Sequence, residues 1–352
     1  GPKKPGEHFE GYVQVQAGNY DDREYEGALN LPLVTDRLMV RVAYKDVSRD
    51  GFTKDVGPRA FGFNAVCDVG SGNSCGFGNP RGAGFAGKDY DNQDYWHARI
   101  SVLWRPTDNI ENNLVALRGR SHDNGTGIVF DGAGPGANLA DLVGNMAYNL
   151  PNLFSPATMF DPTVTQSVLA RQKALGKRKI ALNTDQFFRV EHDAAIDTLA
   201  IDLRDNLTFR NILSHQEMKI SYSWDNDGSI LPILSQLPPY VPTTVHSNPL
   251  APAGARGSLS DASQLTEEAQ LVGKLLDDRL DFVVGLYYSK LEPEGLQGTG
   301  TFNAATIGPG TFYSIETTSK AIYAQGTLQL GLLAPSLEQW KLTVGARYTE
   351  DE

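Results

Sequence analysis

"WKLTVGARYTEDE", residues 340–352, sets Leu342, Val344, Ala346 and Tyr348 against Lys341, Thr343, Gly345 and Arg347. That two-residue period is a β-strand with one apolar and one polar face. The same period recurs upstream. In "RLMVRVAYK" (37–45), Leu38, Val40, Val42 and Tyr44 alternate with Arg37, Arg41 and Lys45. In "DYWHARISVLW" (94–104), Trp96, Ala98, Ile100, Val102 and Trp104 oppose Tyr95, His97, Arg99 and Ser101. Further runs begin in "HFEGYVQVQAG" and "REYEGALNLPL" and continue at about 109–121, 186–203, 206–222, 264–276, 279–290 and 318–332; with the closing run, about 337–350 in full, there are 11 strands. One short helix is expected in "TVTQSVLARQKALGKRK" (163–179).

The connections between these strands fall into two classes. Those at 33–36, 105–109, 203–206, 276–279 and 332–336 are short, whereas roughly 46–93, 122–185, 223–263 and 291–317 are long. Only "GNYDD" (18–22) is short where a long one is due. Short turns at one end and long loops at the other are the layout of an outer-membrane β-barrel. No run of 18 apolar residues exists to form a membrane helix, but barrels hide from such scans, because every second residue is polar. Tyr12, Tyr25, Tyr44, Trp96, Trp104, Tyr287, Tyr288, Tyr323, Trp340 and Tyr348 are expected mostly towards strand ends, at the two water–lipid boundaries.

Charge and composition narrow the function classes. The 352 residues carry 31 Lys plus Arg and 42 Asp plus Glu, a formal net charge of −11, which argues against a nucleic-acid partner. No signal peptide is visible at Gly1-Pro2. Cys67 and Cys75 share a Gly/Asn/Ser-rich loop, which suggests a loop-closing disulfide; two free thiols are the alternative. The six histidines are well separated, without metal-ligand spacing, and there is neither a nucleophile elbow nor a phosphate loop. The glycine-rich 122–136 reads as a surface loop. Asp89, Asp91 and Asp94 form an acidic run without the Gly and Glu of a calcium loop, and read as solvated charge. An enzyme is therefore not expected, nor a cofactor.

A family comes into view in "KKPGEHFEGYVQVQAGNYDDREYEGALNLPLVTDRLMVRVAYKDVSRDGF". This stretch resembles the opening of the barrel domain in TonB-dependent outer-membrane receptors. There a "TKKP"-like segment closes the plug domain, followed by a first strand, a "GNY" turn and a "G..N.PL..D.L..R.A" hairpin. "LTEEAQLVGKLLDDRLDFVVGLYYSK" (265–290), "SKAIYAQGTLQL" (319–330) and "WKLTVGARYTEDE" are similar to the same family, in its order. The resemblance implies an all-β, antiparallel transmembrane barrel of the 22-strand plugged class, of which residues 1–352 are a part, with the plug upstream of Lys3 and more strands beyond Glu352. It implies energised uptake of a bulky nutrient across a Gram-negative outer membrane, an iron–siderophore complex before cobalamin, haem or a glycan. TonB, acting through the plug, lipid with lipopolysaccharide, and a ferric siderophore are the implied partners.

Two other readings stay open: a passive porin-like pore, and a soluble β-rich binding module. With the apolar face towards lipid, Arg41, His97 and Arg99 point into the barrel as candidate substrate contacts. His122, Tyr240 and Arg256 are candidates on the loops.

Overall fold

The computed structural model describes residues 3–61, 87–132, 162–182, 186–225, 228–229, 234–237, 260–294, 297–303 and 311–352. Eleven strands follow one another along a single antiparallel wall. They are β1 (Glu10–Gly18), β2 (Asp22–Val34), β3 (Leu38–Arg49), β6 (Gln93–Thr107), β7 (Ile110–Asp123) and β9 (Phe187–Arg204), then β10 (Leu207–Asp225), β12 (Ser260–Leu275), β13 (Leu280–Pro293), β16 (Thr317–Gln329) and β17 (Lys341–Asp351). Each expected strand has its counterpart here. Short strands β4 (Thr53–Asp55), β5 (Asp89–Tyr90), β8 (Lys179–Ile180), β11 (Leu234–Leu237), β14 (Gln297–Asn303) and β15 (Thr311–Tyr313) lie in the long connections.

Register carries the alternation from strand to strand. Leu29, Val42, Ile100 and Ala116 are successive cross-strand partners, and so are Asn30, Arg41, Ser101 and Val115. The first row belongs to an apolar face and the second to a polar one. Val13, Tyr25, Leu29, Val42, Ile100, Leu286, Ile322, Val344 and Tyr348 are all more than a third exposed on the first face. So large a contiguous apolar surface has no stable place in water and suits a lipid environment.

The apolar face has polar interruptions, Asn112, Asp197, Asn211 and Glu267 among them. Asp197 lies on it between Leu114 and Leu213, and its carboxylate accepts from Asn112 Nδ2 at 2.8 and 3.0 Å. The aromatic residues also divide differently from expectation. Tyr12, Tyr287 and Tyr323 lie on the polar face, with Tyr287 and Tyr323 in mid-strand, because their odd or even positions pair them with polar-face neighbours.

Turn chemistry matches the short connections. Asp36, and Leu276 to Asp278, adopt left-handed backbone, as do Tyr20 and Asp21 in the first hairpin. Before β17 the chain makes two 3-10 turns, Leu330–Leu332 and Pro335–Leu337, so this strand begins later than its pattern suggested. Pro335 lacks the amide hydrogen a ladder needs.

Both described clusters of buried apolar side chains lie outside the wall, in the long connections. Tyr90, Ile180 and Leu182 pack with Val129, while Phe61, Val168 and Ala181 pack with Val56, Ala60 and Leu175. Helix α1 (Pro162–Leu175) contributes Val168 and Leu175 and ends at Gly176, whose φ of 79° suits a residue without Cβ. Strand β4 joins two connections: it pairs antiparallel with β5 and parallel with β8.

Candidate functional site

The polar face of β1, β2, β3, β6 and β7 gathers most of the polar side chains singled out above. Polar residues here share the face with Met39, Leu103, Val115 and Leu117, and side chains meet across strands. On β1 and β2, Tyr12 Oη donates to Glu26 at 2.6 Å, and Gln16 Nε2 to Glu24 at 3.0 Å. Lys45 of β3 sits 3.2 Å from Glu24 and 3.5 Å from Glu26. These carboxylates are engaged.

Residues 3–9 cross this face as a strap. The Asn30 carboxamide, fully buried, binds the main chain of Gly6 and His8. Lys4 reaches Glu111 at 3.0 Å, and Glu7 takes Arg105 Nη1 at 3.1 Å. Arg105 Nε donates in turn to Glu111 at 3.0 Å. The strap is thus held by β2, β6 and β7 together. Nothing in the alternation alone distinguishes Asn30 from other polar-face residues; its buried amide against a Gly-containing segment became visible only in three dimensions.

Arg41, His97 and Arg99 share this polar face, on the neighbouring strands β3 and β6. Arg41 is 6% exposed and lies 3.8 Å from Glu10, which is itself bound by Lys3. His97 leans over Gly119, directly opposite on β7, where a Cβ would collide with its ring. The Tyr95 ring is 5.6 Å away. Arg99 is paired across the ladder with Ala43.

A second group occupies the same face farther along the wall. Tyr323 Oη donates to Glu268 and accepts from Gln270 Nε2 at 2.9 Å. The Arg347 guanidinium lies 5.0 Å from the Tyr287 ring and 5.7 Å from that of Tyr323, within cation–π range. From sequence, Tyr287 and Tyr323 are expected at the water–lipid boundaries, and Glu268, Gln270 and Arg347 have no expected role. The pairing of Tyr323 with Gly285 could have signalled them, since a ring needs a bare backbone to lie on.

At the outer end of β7, Arg120 donates to His122 Nε2 at 2.7 Å. Cys67, Cys75, Tyr240 and Arg256 lie outside the described residues.

The acidic run departs from its reading as solvated charge. Asp91 accepts from Thr53 Oγ1 at 2.7 Å and from Gly127 N at 3.2 Å; Asp89 accepts from Gly51 N. Asp94 donates its own amide to Asp123 Oδ1 at 2.8 Å. Asp89 and Asp91 therefore fasten loop backbone, and no group of three potential metal ligands occurs among the described residues.

Comparison with known proteins places this wall. A family model described as TonB dependent receptor-like, beta-barrel, matches residues 131–352. Among solved structures the chain is similar to the ferric yersiniabactin uptake receptor FyuA from Yersinia pestis, with a TM-score of 0.57 at 12% identity, over 99% of this chain and 44% of that one. It is similar also to the closed form of the ferric-catecholate import receptor Fiu from K12 E. coli (TM-score 0.54, 15% identity, 99% and 42% coverage). The siderophore receptor PiuA from Acinetobacter baumannii gives a TM-score of 0.54 at 14% identity, with 99% and 43% coverage. At such identities the likeness is one of fold, and the chain spans less than half the length of each of these structures. No curated protein sequence matches it. A strand wall with one lipid-suited face and a family match over residues 131–352 lead to one assignment: the chain belongs to the TonB-dependent receptor family and carries strands of its β-barrel.

Proposed function

We propose that residues 1–352 form part of the barrel domain of a receptor in a Gram-negative outer membrane, with a plug domain before them and further strands after. The receptor imports a bulky nutrient, an iron–siderophore complex, by binding at the outer loops followed by plug rearrangement that TonB drives. No bond of the cargo is made or broken, and any iron arrives with it. The observation that carries this reading is the two-faced wall: apolar side chains exposed on one face, and on the other a polar surface that grips the strap at residues 3–9. A peptide held inside the polar face is what a barrel with a filled interior requires.

The test starts from outer-membrane extracts of the source organism, probed with an antibody to this region. A product about twice the size of this chain, as the 44% coverage of FyuA suggests, supports the reading. Deleting the gene should then lower radiolabelled iron–siderophore uptake to the level of a strain lacking TonB. Uptake that persists without TonB, or steady open-channel conductance of the purified protein in planar bilayers, would replace the receptor by a passive pore.

A further inference from the structure

We propose that Arg41, Arg99 and Ser101 form a carboxylate-binding site on the polar face of the wall, an inference that rests on the receptor reading above. The row Tyr12–Ala28–Ala43–Arg99 runs across β1, β2, β3 and β6. Its two ends are large and its two middle residues small, which makes a shallow floor between a phenol and a guanidinium. Arg41 and Ser101, cross-strand partners, occupy the neighbouring row. Arg99 is two residues from Ser101 on the same face of β6, and Ser101 is the cross-strand partner of Arg41, so the two arginines are diagonal neighbours within reach of long side chains.

Neither arginine has a closely matched anion: Arg41 reaches only Glu10, at 3.8 Å, a carboxylate that Lys3 holds more tightly. Arg41 and Ser101 are 6% and 1% exposed, and Arg41 Nε and Ser101 Oγ are buried without a hydrogen-bond partner. Arg99 makes no hydrogen bond or ion pair among the described residues. The carboxylates around them are committed elsewhere: Glu10 to Lys3, Glu24 to Lys45 and Gln16, and Glu26 to Tyr12 and Lys45. A buried guanidinium without a well-placed counter-charge is costly, and a planar carboxylate is the group whose two oxygens match its fork. The Ser101 hydroxyl adds a donor on the same side. The anion has two possible sources of one chemistry. It is either an acidic side chain of polypeptide lying on this face, as residues 3–9 do, or a carboxylate of the chelate in transit.

Two arms on the full-length receptor separate the sources. In the first, Arg99→Lys is treated with a water-soluble carbodiimide, which joins an amine to a carboxylate in contact, and digested for mass spectrometry. A cross-link from position 99 to an acidic residue other than Glu10, Glu24 or Glu26 identifies a protein carboxylate. In the second, ferric citrate is titrated by tryptophan fluorescence against wild type, Arg99→Gln and Arg41→Gln, with neutral ferrichrome as the comparison. Weakening of about tenfold for ferric citrate in Arg99→Gln, with ferrichrome unchanged, identifies a ligand carboxylate. Arg99→Gln keeps the test valid if Arg41→Gln fails to fold, as judged by the mobility of unheated protein on gels. The site is overturned when Arg99→Lys gives no such cross-link and ferric citrate binding, present or absent, does not differ between wild type and Arg99→Gln. A wild-type protein that binds no iron complex and forms an open pore removes the receptor reading as well. A receptor that transports iron but fails both arms removes the site alone.

Discussion

Asn30 holds Gly6 by both of its main-chain groups: its Oδ1 accepts from Gly6 N at 2.8 Å and its Nδ2 donates to Gly6 O at 2.7 Å. The same nitrogen donates to His8 O at 2.6 Å. A side chain thus does for the strap what a neighbouring strand does for the wall. Asn30→Ala should cost about 1–3 kcal/mol, because it leaves buried main-chain groups unmatched. Hydrogen exchange at Gly6 should speed up accordingly, and an unchanged rate would sink this account. Asn30→Asp should be as harmful at neutral pH, since a carboxylate would face two carbonyl oxygens.

Asp55 links three segments: it accepts from Gly57 N at 2.7 Å, Leu182 N at 3.3 Å and Tyr90 Oη at 3.4 Å. Burial raises its pKa above the ordinary aspartate value, against the pull of these hydrogen bonds and of Lys88. The folded state therefore binds the proton more tightly than the unfolded one. Its contribution to stability is full below the unfolded pKa and is lost as pH rises through the folded pKa. Protection of the Leu182 amide, corrected for intrinsic exchange, should fall across that window, and Asp55→Asn should flatten the dependence.

The two faces of the wall make opposite predictions for one substitution. Leu286, 58% exposed on the apolar face, faces Ile322 across the ladder. Leu286→Arg should destabilise the protein by about 2–4 kcal/mol in lipid vesicles. Gln325→Arg, on the polar face of β16, should change little. Equal effects in urea titrations of vesicle-inserted protein would mean that the faces have been assigned wrongly.

Gly285 lies under the Tyr323 ring, where a Cβ would collide with it. Gly285→Ala should displace the ring, break its bond to Glu268 and cost about 1–3 kcal/mol. Gly326→Ala is the control, since the closest atom there is 3.4 Å away. Tyrosine fluorescence, recorded with the thermal unfolding curve, would distinguish local displacement from general loss of stability.

The wall was legible because its alternation is long and repeated, and because short and long connections alternate. β12 begins at Ser260, ahead of its pattern, since Ser260 to Ser263 show no apolar alternation and yet pair with Ile220 to Glu217. The short strands of the outer connections were not legible. Lys54 pairs with Lys179, far away in sequence, over only two residues, and no local period marks such a contact. The candidate arginines could be placed on a face from sequence alone, but how few anions reach them could not. That property depends on which neighbouring carboxylate binds which cation, and register decides it.

The parallel pairing of β4 with β8 couples the inheritance of two loops. Lys54 N donates to Arg178 O at 2.9 Å and Val56 N to Ile180 O at 2.7 Å, while Asp55 N binds Lys88 O at 2.8 Å. Only Asp50, Gly51 and Phe52 separate β3 from β4. Removing one residue there would shift the register of all three strands and invert which side chains of 53–55 face Tyr90. The first long connection is therefore bound at its root, and the second must change in step with that root.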